Sequence, residues 1–385
     1  MSHYEVIVIG GGAAGFFTAI NAAAKNPELS ICILERGSDV LGKVKVSGGG
    51  RCNVTHAEFM PRELTANYPR GEKELLGPFH SFMTGDTIAW FEERGVDLKI
   101  EEDGRMFPIS DSSQTIIDCF LTEVERLNIS VKKNHAVKAL RKRDGMWQLR
   151  TSQGDFSCDK LVVATGSSPK MWKLLEEIGH TIVPPVPSLF TFNSKDARIE
   201  DLSGVATEAS VKVLLETPDK LEATGALLIT HWGMSGPAIL KLSAWGARLL
   251  EPTGYNFTIQ VKTVSKNAQW GLPKRLWKRL VAAAGISEEE TWAHVTQQQL
   301  ATLQGQLTEA QFEVKGKSTF KEEFVTAGGI LLKEIDFKRF ESKVHANLFL
   351  VGEVLNIDAI TGGFNFQNAW TGGYLAARAI AESAG

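Results

Sequence analysis

Gly10, Gly12 and Gly15, followed further on by the carboxylate of Glu35, form the constellation with the most chemical content in this sequence. In a Gly-x-Gly-x-x-Gly turn the first glycine lets the chain reverse tightly, and the second leaves no Cβ in the way of a pyrophosphate. The third lets a helix pack close to the preceding strand. Ala13 and Ala14 lie inside the same turn, where the first N–H groups of a helix have no intrahelical partner and carry a partial positive charge. Glu35 stands where a carboxylate accepts hydrogen bonds from the ribose hydroxyls of an adenosine. The implied chemistry is recognition of a dinucleotide.

The elements needed to position these groups are present in order. Val6-Ile7-Val8-Ile9 is a short, β-branched apolar run of the kind that forms a buried parallel strand, and it stops at Gly10. Residues 16–25 are rich in helix formers and contain no proline, which predicts a helix opening at the glycine turn. Residues 30–34 predict the next strand, ending at Glu35. A glycine turn used only for tight packing leaves Glu35 unexplained.

Three further glycine clusters read as serving the same ligand. Ser47-Gly48-Gly49-Gly50-Arg51-Cys52-Asn53 has too much glycine for a regular element and predicts a loop whose backbone passes close to a ligand; Lys43, Lys45 and Arg51 supply positive charge. Cys52 beside Arg51 reads as a packed or ligand-adjacent thiol. Residues 161–163 predict a buried strand that ends in Ala164-Thr165-Gly166. Residues 346–353 predict another, ending in Gly352-Glu353. After it, Gly362-Gly363-Phe364-Asn365-Phe366-Gln367 opens a helix running to residue 382. This second helix N-terminus suits a second anionic centre, and in a flavin that is the N1/C2=O edge. Gly372-Gly373 within the helix costs about 2 kcal/mol relative to alanines and implies a close packing contact. The expected cofactor set also includes Arg36 and Val137.

Elsewhere, residues 58–107 read as helices with mixed charge, including one over 84–95 with Gly95 as its C-cap, then a turn at Asp103-Gly104-Arg105. A helix over 115–127 starts from residues 111–114, a strand covers 129–137, and residues 146–151 pair with 155–158. His135 reads as structural. Val183-Pro184-Pro185-Val186-Pro187 is a stiff extended link that marks a boundary. Residues 190–319 read as an inserted substrate domain, which leaves 1–189 and 320–385 as a discontinuous cofactor domain. Within the insert, 210–216 and 255–263 are strand-like, and 227–240 is a strand, a glycine-punctuated loop and a helix. Residues 272–311 read as helical, with a Leu276, Leu280, Val281 stripe. Arg105, His231 and Trp232 are candidates to face a substrate.

Composition narrows the class. A chain of 385 residues with 43% hydrophobic and 23% charged residues fits a soluble protein of two or more domains. Net charge −3 gives no reason to expect nucleic acid or an anionic membrane as a partner. No apolar run approaches a membrane span of ~20 residues, and the chain enters its first strand with no room for a signal peptide. Four cysteines without a C-x-x-C pair argue against a redox dithiol and a zinc site, so no metal is expected and the location reads as cytoplasmic.

The glycine turn with Glu35, Ser47-Gly48-Gly49-Gly50-Arg51-Cys52-Asn53, Gly104-Arg105-Met106-Phe107-Pro108, Thr230-His231-Trp232-Gly233-Met234-Ser235-Gly236-Pro237-Ala238, and Gly352-Glu353 through Gln367 together resemble the YhiN/BaiN-type bacterial flavoproteins. The resemblance covers essentially the whole chain. It implies an α/β fold with a glutathione-reductase-like Rossmann FAD domain, an inserted β-barrel plus helical domain, and FAD as cofactor. It also implies an NAD(P)/FAD-dependent oxidoreductase acting on a small organic substrate. Members reduce bile-acid enones or oxidise aminoacetone, so the resemblance does not fix the substrate. The loop from Ala164 to Trp172 is shorter than the glycine-rich loop of relatives. With no second Gly-x-Gly-x-x-Gly after a strand, NAD(P)H as donor has to dock transiently on the flavin. An amine oxidase and a flavin-binding sensor are the alternatives, and no catalytic acid or base is assigned.

Overall fold

The computed structural model describes residues 1–216, 220–263, 271–318 and 325–382. The chain forms two compact units, Met1–Pro185 with Thr326–Gly385, and Val186–Val325. The expected boundary at residues 319 and 320 lies outside the described residues.

The first unit is built on Ser2–Ile9, whose residues Val6 to Ile9 are buried on both faces as a central parallel strand requires. It pairs in parallel with Ile31–Leu34 on one side and Gly154–Val163 on the other. Ser130–Lys132 extends the sheet beyond Ile31–Leu34, and Leu348–Leu350 extends it beyond Gly154–Val163. These five strands are parallel; Glu341–Ser342 and Ile335–Asp336 add antiparallel pairs at one edge. Helix Ala13–Lys25 follows the first strand, and helix Phe364–Glu382 packs against it. Around their contact Phe17 meets Trp370 at 5.1 Å and Trp90 at 4.6 Å between ring centroids. A smaller antiparallel sheet, in the order Thr55–His56, Arg105–Pro108, Leu98–Ile100, and helices Pro61–Thr65, Glu72–Phe79 and Thr84–Glu92 complete the surroundings.

Several sequence expectations change here. The strand expected over 129–137 is two: Ser130–Lys132 joins the parallel sheet, and Val137–Arg143 starts an antiparallel ladder after a turn at the left-handed Asn134 (φ 60°). The segments 155–158 and 161–163 are one continuous strand, Gly154–Val163, whose first half pairs with Met146–Thr151. Within 58–107 the last part is a hairpin rather than helix. The helix at 84 closes as expected: Gly95 N donates to Glu92 O and Val96 N to Phe91 O, with Gly95 left-handed at φ 74°.

The second unit holds an antiparallel sheet in the order Ala310–Lys315, Asn256–Thr263, Ala206–Leu214, Glu222–Thr230, Gly233–Ser235, Thr191–Asn193, Lys317–Ser318. Its first and last strands are separated in sequence by Gly316 alone. Ala310–Lys315 alternates strictly between buried and exposed residues, the mark of a half-buried strand. Its buried residues join a separate core with Phe192, Val211, Ile259 and Leu280. Residues 272–311 are not one helical region: Lys274–Ala283 buries Leu276, Leu280 and Val281, Gln297–Thr308 is capped by Thr296 and Gln299, and Gln311 lies in a strand.

Candidate cofactor site

The glycines of the first turn do separate jobs. Gly10 is left-handed (φ 113°), and a Cβ there would lie 2.4 Å from Ala164 O. A Cβ on Gly15 would lie 2.0 Å from Gly10 O, so the helix can approach its own turn only with glycine at that place. At Gly12 the opposite holds: a Cβ would meet no atom within 4 Å. Gly12 is the N-cap of helix Ala13–Lys25 and carries no side-chain cap, so the N–H groups of Ala13 and Ala14 open onto that space.

Glu35 closes one end. Its Oε2 accepts from Gly11 N at 2.8 Å and its Oε1 from Gly37 N at 2.7 Å, which fixes the carboxylate at the rim of the turn with lone pairs to spare. His135 N donates to Glu35 O, which brings the neighbouring Val137 to the same end; Arg36 is exposed beyond it. On the other side Ala164 N donates to Ile9 O. A Cβ on Gly352 would lie 3.2 Å from Ala14 Cβ, and one on Gly166 would lie 3.5 Å from Glu353 Oε2. Glu353 in turn accepts from Lys43 Nζ at 2.5 Å. Gly10, Gly12, Ala13, Ala14, Gly15, Glu35, Lys43, Ala164, Thr165, Gly166, Gly352 and Glu353 are therefore one neighbourhood.

The second glycine turn gathers the remainder. Gly48 and Gly49 are left-handed after Ser47, where residues 42–46 stop being helical, and Ser47 O accepts from Cys52 N. Gly363 (φ 94°) sits so close that a Cβ would lie 2.6 Å from Thr55 O and 2.9 Å from Asn53 Oδ1. Asn53 Oδ1 also accepts from Met106 N. Asn365 braces the turn through Ala359 N and O.

Several of the expected residues also have partners within the fold. Arg51 pairs with Glu101 at 2.5 Å and Asp111 at 3.4 Å and lies 3.9 Å from the centroid of Phe107, so it is neutralised within the fold. Arg105 is likewise held by Asp103 and Glu101. Gln367 is fully buried, with Oε1 accepting from Thr55 and Thr87 and Nε2 donating to Thr371, which makes it a brace behind the turn. Phe366 stacks on Trp370 at 5.5 Å. Burial pushes the Cys52 thiol up to about 12, the packed alternative. In the second unit His231 and Trp232 form an exposed two-residue turn between Glu222–Thr230 and Gly233–Ser235.

Sequence reading missed His56, whose ring stacks on Phe364 at 4.5 Å and whose Nδ1 meets Gly362 O at 3.0 Å. A Cβ on Gly104 would lie 2.6 Å from its Nε2, so Gly104 makes room for this ring. Also missed were Tyr68, whose hydroxyl donates to Phe364 O, and the pair formed by Arg70 with the fully buried Asp358. Only long-range folding joins these residues, and no local pattern marks them.

A glycine turn that opens an uncapped helix after a central parallel strand and is rimmed by a fixed carboxylate, with a second glycine turn opening the helix packed against it, defines a Rossmann-type dinucleotide-binding protein. The open space at Gly12 fits the pyrophosphate and Glu35 fits the adenosine ribose. The HI0933-like protein Rossmann domain family matches residues 4–379, and the chain belongs to that family, as an FAD-dependent oxidoreductase. It is 26% identical over 414 residues to the ribosomal RNA dihydrouridine synthase of Haemophilus influenzae, covering 99% of this chain and 100% of that one. It is 27% identical to the 3-dehydro-bile acid delta(4,6)-reductase of Clostridium scindens, covering 97% and 98%. In fold it resembles the 3-ketosteroid-delta4-(5alpha)-dehydrogenase of Rhodococcus jostii, with a TM-score of 0.55 and 12% identity over 100% of this chain and 97% of that one. A relative named for ribosomal RNA means that net charge −3 does not exclude nucleic acid. Among the described residues no helix is long and apolar enough to cross a membrane, and no group of three or more His, Cys, Asp or Glu could hold a metal ion.

Proposed function

We propose that this protein reduces a carbon–carbon double bond conjugated to a carbonyl, with uridine of ribosomal RNA as substrate and NAD(P)H as electron donor. One observation carries the reading: two relatives matched end to end at nearly equal identity bear names for the same transformation, saturation of a conjugated double bond. In uracil that bond is C5=C6, conjugated to the C4 carbonyl. NAD(P)H and one proton are consumed, NAD(P)+ is released, and two hydrogens are added across the bond. FAD bound at this site would supply two-electron hydride chemistry between the nicotinamide and the double bond.

The chain's own residues bind and orient. The N–H groups at Ala13 and Ala14 would hold the pyrophosphate, and Glu35 would hold the adenosine ribose. The turn at Gly362-Gly363, braced by Asn53, Thr55, His56 and Asn365, leads into helix Phe364–Glu382, whose N-terminus would stabilise the anionic form of a bound flavin. Lacking a second dinucleotide turn, the protein takes up NAD(P)H weakly, so reduction by the nicotinamide alone is slow.

The test is to incubate the FAD-loaded protein with NADH or NADPH and unmodified ribosomal RNA transcripts, then digest the RNA to nucleosides for mass analysis. A new nucleoside two hydrogens heavier than uridine is expected. Reduction of a steroid enone with no change in the RNA would sink the RNA assignment and keep the reaction type.

A further inference from the structure

We infer that the outward face of the strand pair Val137–Arg143 and Met146–Thr151 is a docking surface for the phosphate backbone of RNA; this rests on the proposal that ribosomal RNA is the substrate. Residues 129–151 carry seven cations and one carboxylate in a chain of net charge −3. Nothing in the cofactor site uses these cations.

The ladder sorts them. Its register sets Ala139 opposite Arg150, Arg141 opposite Gln148 and Arg143 opposite Met146, and alternation puts these six on one face. The other face is apolar and buried through Leu140, Trp147 and Leu149, so the strands are firmly seated. Trp147 Nε1 donates to Asn347 O, and Lys142 Nζ to Ala346 O, which ties that side down further. Arg141, Arg143 and Arg150 are exposed. Among the described residues Arg141 and Arg150 form no ion pair, although Asp155 stands across the ladder from Arg150. Arg143 has only the neighbouring Asp144 at 3.5 Å, with both side chains more than 70% exposed, a pairing of little worth.

A solvated basic face is the ordinary explanation for surface charge. Here the cations are arginines, whose planar fork matches phosphate oxygens two at a time, and they are held on a rigid ladder with Arg141 and Arg143 about 7 Å apart along one strand. Such a face binds nucleic acid through its backbone, independent of sequence and weakened by salt.

The experiment compares the FAD-loaded wild type, the triple variant R141Q/R143Q/R150Q and a control with equal loss of charge at exposed sites elsewhere, K73Q/K170Q/K338Q. Fluorescence anisotropy with labelled ribosomal RNA transcripts is read over a salt series. The triple variant should bind roughly tenfold or more weakly, with the log–log salt slope shallower by about 2–3, as three lost phosphate contacts require. The control should track the wild type, and flavin content should be equal in all three. Unchanged affinity and slope in the triple variant overturn the docking face; if the wild type still forms dihydrouridine, the functional reading survives that loss. Conversely, a triple variant that loses RNA binding when the wild type forms no dihydrouridine upholds the face and sinks the functional reading. RNA binding equally weak in wild type and triple variant overturns the face as well.

Discussion

Gly12 and Gly15 stand three residues apart in one turn, yet steric space separates their roles. A side chain at Gly15 collides with the carbonyl of Gly10 at 2.0 Å, a clash between backbone segments that no rotamer relieves. At Gly12 there is room, and φ of −97° is open to any residue, so a side chain there competes only with what the turn binds. Gly12→Val should fold with a melting temperature close to that of the apoprotein and retain no FAD. Gly15→Val should fail to give a cooperatively melting protein. Flavin absorbance per mole of protein and circular-dichroism melts read the two outcomes; a Gly12→Val protein that purifies yellow would place the pyrophosphate elsewhere. The glycine spacing and Glu35 were legible because their geometry is local. His56, Tyr68 and the Arg70–Asp358 pair were not, because each meets its partner across hundreds of residues of chain.

At the scale of elements, the helix pair Ala13–Lys25 and Phe364–Glu382 explains the glycines that interrupt a helix. A Cβ on Gly373 would lie 3.0 Å from Thr18 Oγ1 and 3.3 Å from Ala14 O, and one on Gly372 would lie 2.9 Å from the Phe340 ring. Gly373→Leu should therefore destabilise the protein by about 1–3 kcal/mol through overpacking, read as a lower urea midpoint at unchanged slope. The sequence showed that some close contact must exist and could not show with what. Nor could apolar periodicity tell one long strand from two: Gly154–Val163 continues without a break because it has partners on both sides, which no window of sequence contains. His180 is a second such junction, its Nδ1 on Glu334 at 2.7 Å and its Nε2 on Ser342 at 3.1 Å, with His345 nearby. Burial outweighs the carboxylate and lowers its pKa below the ordinary 6.5. The unfolded chain then binds the proton more readily, so the contribution of His180 to stability is complete above pH 6.5 and is lost as pH falls below it. Melting temperature should drop between pH 8 and 5.5, and the drop should be smaller in His180→Gln. Equal slopes in the two proteins would assign the pH dependence to other groups.

The whole molecule divides into two compact units. Each has its own apolar core, one around the parallel sheet and one around Phe192, Val211 and Ile259. The chain leaves the first unit at Pro185 and returns at Thr326. These ends are close: a Cβ on Gly328 would lie 2.6 Å from Pro185 Cα, so a linker of a few glycines and serines can bridge them without strain. Gly10 to Gly15, Glu35, the loop from Ser47 to Asn53, Gly352, Glu353 and the turn at Gly362-Gly363 all belong to the first unit. A chain with residues 186–325 replaced by such a linker should fold, melt cooperatively and bind FAD in a one-to-one ratio. Turnover of the shortened protein, read beside its flavin content, separates cofactor binding from catalysis in a single variant. Flavin content and the near-ultraviolet melt decide the matter: a folded, colourless product would show that the second unit helps to hold the cofactor.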